Sequence, residues 1–281
     1  PILRWGAGDS AASHEVYFGT DANAVANADQ TSPEYKGTKA LGDESYDPGK
    51  LAWHTAYYWR VDEVNDLNPD SPWAGNLWTF TTGDFLVIDD FEDYNAGDNQ
   101  IWYSWIDGLG YGVQGTDPYN PGNGTGAAVG DETTASYTEE TIVHGGRQSM
   151  PLSYDNNKQG YSKYSEAELT LVAPRDWTEE GVTELSLWFY GDPNNSDEPL
   201  YVAVSNSAGT PAVVIHDDPA AATIETWTEW VIPLSAFADQ GIVLTNVDGI
   251  AIGLGTQGNL TITGGSGKMY FDDIRLYRPR E

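Results

Sequence analysis

Short segments with apolar residues at alternate positions recur along this chain, separated by clusters of Gly, Pro, Asn and Asp. This is the pattern of half-buried β-strands joined by turns, and helical periodicity is nearly absent. Up to residue 83 the spacing predicts strands over Ile2–Trp5, Glu15–Gly19, Tyr57–Val64 and Leu77–Thr81. In Tyr57-Tyr58-Trp59-Arg60-Val61 the odd-numbered residues share one face, which period two makes the buried one. Thr55-Ala56-Tyr57, with Leu51 upstream, suits a tyrosine corner whose hydroxyl ties down the start of that strand.

Gly83-Asp84 reads as a junction, giving units of residues 1–83 and 84–281. In the second unit strands are predicted over Leu86–Phe91, Arg147–Tyr154, Glu166–Val172 and Val182–Tyr190. Four more follow at Leu200–Ser205, Trp227–Ile232, Gly249–Gly255 and Lys268–Leu276. Their number and spacing fit an all-β architecture, a smaller sandwich followed by a two-sheet jelly roll. Residues 111–130, rich in Gly, Asn and Pro, read as a long surface loop. Gly264-Gly265-Ser266-Gly267-Lys268 reads as a hairpin turn: Met269 stands where a phosphate loop needs Ser or Thr, and no helix follows.

Composition narrows the partners. With 43 acidic against 13 basic residues the formal charge is −30, which repels phosphate backbones and anionic lipid surfaces. Nucleic acid and membrane insertion are therefore excluded as expectations. Such a surface attracts Ca²⁺, or serves solubility in a salty setting. There is no cysteine, so neither a disulfide nor a thiolate metal site braces the fold. Residue 1 is Pro, which reads as a processed or excised chain. The 11 Trp and 17 Tyr against 7 Phe exceed what a core needs and point to recognition by ring stacking, although β-sandwich cores also use such rings. The four histidines form no His-Glu-x-x-His pattern and no Gly-x-Ser-x-Gly elbow is present, so no enzyme signature emerges.

Two resemblances sharpen this reading. Leu3-Arg4-Trp5, Val16-Tyr17-Phe18-Gly19-Thr20, Tyr57-Tyr58-Trp59-Arg60-Val61-Asp62 and Trp78-Thr79-Phe80-Thr81-Thr82 make residues 1–83 resemble a fibronectin type III domain. Such domains have a strand before the position Leu3 occupies. Its lack implies either an excised boundary or an open edge that a neighbouring molecule completes with its own strand. Residues 86–277 open on Ile88-Asp89-Asp90-Phe91-Glu92-Asp93 and close on Met269-Tyr270-Phe271-Asp272-Asp273-Ile274. In this they resemble the galactose-binding-like jelly rolls of carbohydrate-binding modules, in which such clusters frame a structural calcium.

That resemblance implies Glu92 and Asp273 as metal ligands, with Asp90 next, and Gly146 and Gln148 of the His144–Ser149 turn as weaker ones. Calcium between the two strands would remove the repulsion of adjacent carboxylates; exposed carboxylates that discourage edge aggregation are the alternative. For glycan contact the expected residues are Trp102, Tyr111, Arg147, Tyr154, Asn156, Trp188 and Tyr190, which offer rings beside planar hydrogen-bonding groups. Leu185, Leu187 and Phe189 face the core, leaving Trp188 and Tyr190 for a concave outer sheet or a second packed layer; Trp177 is assigned to packing. The expected function is non-catalytic glycan binding by an extracellular accessory module. A structural subunit of a surface layer, sheath or filament, assembled by strand donation and calcium, is the alternative, and a jelly-roll lyase or hydrolase the third reading.

Overall fold

The computed structural model describes residues 2–65 and 67–280; Pro1, Asp66 and Glu281 lie outside the described residues. The chain forms two compact units, residues 1–84 and 85–281, each built almost entirely from antiparallel strands.

In the first unit the elements are β1 (Leu3–Arg4), β2 (Ser13–Gly19), α1 (Ala22–Ala26), β3 (Tyr35–Ala40), β4 (Ser45–Tyr46), β5 (Ala56–Val64) and β6 (Trp78–Thr81). Strands β3-β2-β5-β6 form one sheet, and β1 pairs β4 in a second. The alternation in β5 works as period two requires. Tyr57 joins Leu3 and Phe18 in a buried cluster against which Tyr46, Leu51, Trp59 and Phe80 pack. The hydroxyl of Tyr57 accepts the Ala52 N–H at 2.9 Å, the expected tyrosine corner.

The opposite face of β5 is buried as well, because α1 and the turn after it cover it. Arg60 lies there at 5% exposure. Its guanidinium grips Asp62 through two hydrogen bonds of 2.8 and 2.9 Å and donates to the carbonyls of Val25 and Ala28. A buried charge is tolerable only when paired and fully hydrogen-bonded in this way, and here the pairing also ties down carbonyls at the end of α1. Strands β3 and β4 were not predicted. β3 alternates half-buried with exposed residues around Gly37, the weak pattern of a solvated edge.

In the second unit the elements are β7 (Phe85–Asp89), α2 (Ile101–Ser104), β8 (Trp105–Ile106), β9 (Ala127–Val129), β10 (Met150–Asp155), β11 (Ser165–Thr170) and β12 (Glu184–Tyr190). They continue with β13 (Leu200–Ser205), β14 (Ala212–Ile215), β15 (Thr228–Pro233), α3 (Ser235–Ala238), β16 (Gly249–Leu254) and β17 (Ser266–Tyr277). A six-stranded sheet runs β15-β12-β17-β10-β9 with β7 also on β17, and a five-stranded sheet runs β14-β13-β16-β11-β8. The unit is a β-sandwich of the jelly-roll kind. Leu185, Leu187 and Phe189 of one sheet and Val202, Val204 and Ile252 of the other are fully buried, so the aliphatic side of β12 is core as read from the sequence. Trp177 is likewise fully buried.

Two sequence expectations change. The Gly264–Lys268 segment is not a hairpin turn, because β16 and β17 belong to different sheets; Ser266, Gly267 and Lys268 already lie in β17. The predicted strand at Arg147 begins only at Met150, leaving 144–149 as a turn. Residues 111–130 form a loop as read, apart from the short β9, and the loop is pinned. Tyr111 bridges Asn120, and Asp107 accepts the N–H groups of Leu109, Gly110 and Val129.

The tyrosine corner supplies a direct check. Replacing Tyr57 with Phe leaves the Ala52 N–H without its partner, and we expect a loss of about 1 kcal/mol in the unfolding of the first unit, read by urea denaturation.

Candidate functional site

The outer face of the five-stranded sheet carries a groove of ≈ 520 Å³. Register explains why it is hollow. In Gly249-Ile250-Ala251-Ile252-Gly253-Leu254 the aliphatic residues face the core and the small ones face out. Small residues on the outer face of a central strand leave a trough between taller neighbours. Ala203 of β13 lies opposite Ala251 and continues the floor.

One wall comes from β11, whose outward positions are Glu166, Glu168 and Thr170, with Tyr164 just before the strand. The sharpest feature is a hydrogen-bonded trio at its head. Tyr201 on β13 and Glu166 on β11 both lie opposite Gly253 on the strand between them. The Tyr201 ring crosses over that glycine, where a Cβ would come within 2.2 Å of it. Its hydroxyl donates to Glu166 Oε2 at 2.8 Å, and the Gln257 amide donates to the same oxygen at 2.7 Å. Burial, with Glu166 beside it, pushes the Tyr201 hydroxyl far above its ordinary range, so it remains the donor. Burial also raises Glu166, against the two donors that lower it. Farther along, Glu168 Oε1 accepts the Asn123 amide at 2.9 Å, and Asp248 accepts from Arg175 at 2.6 Å.

This is a preorganised surface of fixed acceptors, an amide and hydroxyls. It can take hydroxyl donors from a ligand lying in the trough while the half-buried Tyr164 ring offers an apolar side.

None of the seven residues expected to contact a glycan lines this groove. Two of them are interior. Tyr154 is 2% exposed, and its hydroxyl donates to the Ser196 carbonyl at 2.6 Å. Asn156 is fully buried, accepting from Ser165 and donating to the Leu254 carbonyl. Both are structural, since Tyr154 belongs to the inward register of β10 and the amide closes backbone gaps beside it.

Trp188 and Tyr190 lie on the outer side of the six-stranded sheet. Trp188 stacks on His144 with centroids 3.7 Å apart, and Tyr190 packs against Trp227 and Tyr270. Of the two places left open by the sequence, the second packed layer describes Trp188, because the 144–149 turn covers it. Trp102 and Tyr111 meet in a separate cluster with Tyr103 and Tyr137. The Arg147 side chain is 85% exposed.

The acidic clusters converge at a break in the sheet. On one edge β17 pairs β10 up to Phe271 and β7 from Ile274 onward. Asp272 and Asp273 fall in the gap, Asp273 with φ +50. Asp272 Oδ2 accepts the His144 and Gly145 N–H groups at 2.9 and 3.1 Å, and Glu92 Oε1 accepts those of Arg147 and Gln148 at 2.7 and 2.8 Å. Asp273 bonds the His144 ring at 2.8 Å and Arg275. Burial pushes Asp272 up to about 7. Asp90 bonds only its own loop, accepting the Glu92 N–H at 3.3 Å, and the Gln148 side chain accepts from Thr138. A Cβ on Gly145 would strike Asp273, and one on Gly146 would strike Glu92, so the two expected ligands bear on one Gly-Gly turn. Among the described residues, no three acidic or histidine side chains gather in a way that could hold a metal ion.

No family model and no curated protein matches the chain. Among solved structures it is similar to the family 11 carbohydrate-binding module from Clostridium thermocellum in complex with a β-1,3-1,4-mixed-linked tetrasaccharide, at 18% identity, 70% of this chain, 96% of that chain and TM-score 0.41. It is also similar to the family 30 carbohydrate-binding module of a cellulosomal cellulase from the same organism, at 13% identity, 70% and 99% coverage and TM-score 0.42. An exo-β-agarase matches 71% of this chain with 25% of its own, at 11% identity and TM-score 0.44.

Glu166 makes the groove visible in a titration. Its raised pKa means the folded state holds this proton more tightly than the unfolded one. The stability it contributes is complete below the ordinary glutamate value and is lost as pH rises through the raised one. Unfolding free energies across that window should fall with rising pH, and Glu166→Gln should flatten that part of the curve.

Proposed function

We propose that this chain binds a polysaccharide in the groove of the five-stranded sheet, without catalysing a reaction on it, as an accessory module of an extracellular protein. The observation that carries the reading is the groove along Gly249–Ala251 with Glu166 and Gln257 in its lining, both held in place where the buried Tyr201 crosses Gly253 and donates to Glu166. Glycan hydroxyls exchange water for fixed acceptors at little reorganisation cost when those acceptors are already held in place. In the non-catalytic reading Glu166 acts as an oriented acceptor, since both protein donors converge on one of its oxygens and leave the other for the ligand.

For residues 1–84 the reading is a fibronectin type III-like spacer. It is supported by the β1–β4 sheet, whose residues share a core with β2 and β5, and by the tyrosine corner. Among the described residues β1 has a strand on one side only. A second reading is strand addition to the β1–β4 sheet by a neighbouring copy, as in a surface layer or filament.

Structural calcium at the β17 break is part of the proposal for the second unit. Glu92 and Asp273 would hold it from either side of the Gly145-Gly146 turn, with Asp90, Gly146 and Gln148 as the further candidates; because no three acidic or histidine side chains gather there among the described residues, backbone oxygens would have to complete the site. Its role would be to offset buried carboxylate charge, not to take part in chemistry.

In affinity electrophoresis through gels containing soluble polysaccharides, we expect retardation that Tyr164→Ala and Gln257→Ala each weaken by about 1–3 kcal/mol, while Trp188→Ala leaves it unchanged. A variant-insensitive retardation would remove the groove from the account, and sedimentation of the same samples as monomers only would dispose of strand addition. Chelation is expected to lower the melting temperature, because a metal that binds only the folded form stabilises it by mass action, and Asp273→Ala to erase that dependence. Identical melting curves with and without chelator would remove calcium and leave the glycan reading standing.

A further inference from the structure

We propose that the groove selects uncharged, hydroxyl-rich polysaccharides and rejects polyanionic ones; this deepens the groove reading above and rests on it. The charged side chains of its lining are Glu166, Glu168 and Asp248, and no Lys, Arg or His stands among them. Arg175 neutralises Asp248 from outside that lining. Among the described residues Glu166 and Glu168 pair with no cation: their side-chain donors are the neutral groups of Tyr201, Gln257 and Asn123. Two carboxylates on the wall of a trough, in a chain of net charge −30, face any approaching uronate or sulfate with like charge.

The spacing also argues against an amine-bearing polymer. Glu166 and Glu168 are two residues apart on one strand, about 7 Å along the backbone. Each keeps one oxygen outside the hydrogen bonds described above. That arrangement suits two separate hydroxyls of an extended chain better than one ammonium, whose three donors are best met by acceptors gathered around one point. Specificity then comes from repulsion of the wrong ligand as much as from attraction of the right one.

The test is titration of the full chain at low salt with three sets of polymers. These are neutral ones (mixed-linkage glucan, arabinoxylan, agarose oligosaccharides), polyanionic ones (alginate, polygalacturonate) and a polycationic one (chitosan). A neutral polymer is expected to bind with an affinity that added salt does not change, and the polyanions at least about a hundredfold more weakly. Glu168 is exposed, so Glu168→Lys should fold, as its melting temperature will report, and should raise alginate binding by at least about tenfold. Alginate bound by the native chain as tightly as the neutral polymers, or chitosan still preferred over them at high salt, where the general attraction of a chain of charge −30 is screened, would overturn the inference while leaving the groove a glycan site. If no polymer of any charge binds, the groove reading itself falls and the inference with it.

Discussion

The second unit depends on how β17 is shared. One edge of this strand serves two partners end to end, β10 along its first half and β7 along its last residues. A ladder that changes partner leaves unpaired N–H groups at the change, and burying them unsatisfied costs about 1–3 kcal/mol each. Carboxylates close the gap: Asp272 accepts the Asp273 N–H of β17 itself, and Asp272 and Glu92 between them accept four N–H groups of the 144–148 turn that docks there. The bulge that re-aims β17 centres on Asp273, in a left-handed conformation, and bulges of this kind commonly redirect a strand without ending it. What reads in the sequence as repulsive acidic clusters is, in the fold, a set of acceptors placed where the sheet cannot supply its own.

The same reasoning, applied to volume instead of hydrogen bonds, accounts for the groove. A central strand buried on its inner face by Ile250, Ile252 and Leu254 could carry any residue outside. Here it carries glycine and alanine, so neighbouring side chains cross over it. The Tyr201 ring reaches Glu166 because Gly253 offers no Cβ in between. Glycine weakens a strand interior, and in this case the loss is matched by a preorganised polar trio that an alanine at the same place would displace.

Much of the architecture was legible in the sequence because period-two alternation is strong wherever one face is buried. β5 and β12 appeared with correct faces, β13 with its bounds Leu200–Ser205, and the tyrosine corner followed from Tyr57 and Leu51. Strands β8, β9 and β14 escaped, being two to four residues long and too short to show a period. The groove escaped for a different reason. Its members sit at residues 164–170, 201–205 and 248–258, and only strand register brings Glu166, Gly253 and Tyr201 into one line. The signal was nonetheless present in Gly-Ile-Ala-Ile-Gly-Leu at 249–254, an alternation of small and large in place of polar and apolar. Reading aromatic residues as contacts directed attention to Tyr154 and Trp188 instead, and the fold uses both for packing.

That last distinction bears on how β-sandwiches assign work to aromatic residues. Trp188 lies under His144, which in turn is bonded to Asp273, so the outer layer of the six-stranded sheet is tied to the same break in β17 that the carboxylates close. The 144–149 turn thus has two anchors, backbone N–H groups held by acidic side chains and a ring stacked on a tryptophan. With this face committed to holding the sandwich shut, it is the five-stranded sheet that carries the trough, edged by the loop residues Pro211, Gln257 and Gly258. Division of labour between the faces follows from connectivity: the sheet whose central strand changes partners needs a covering layer, and the sheet whose central strand does not can remain open to a ligand.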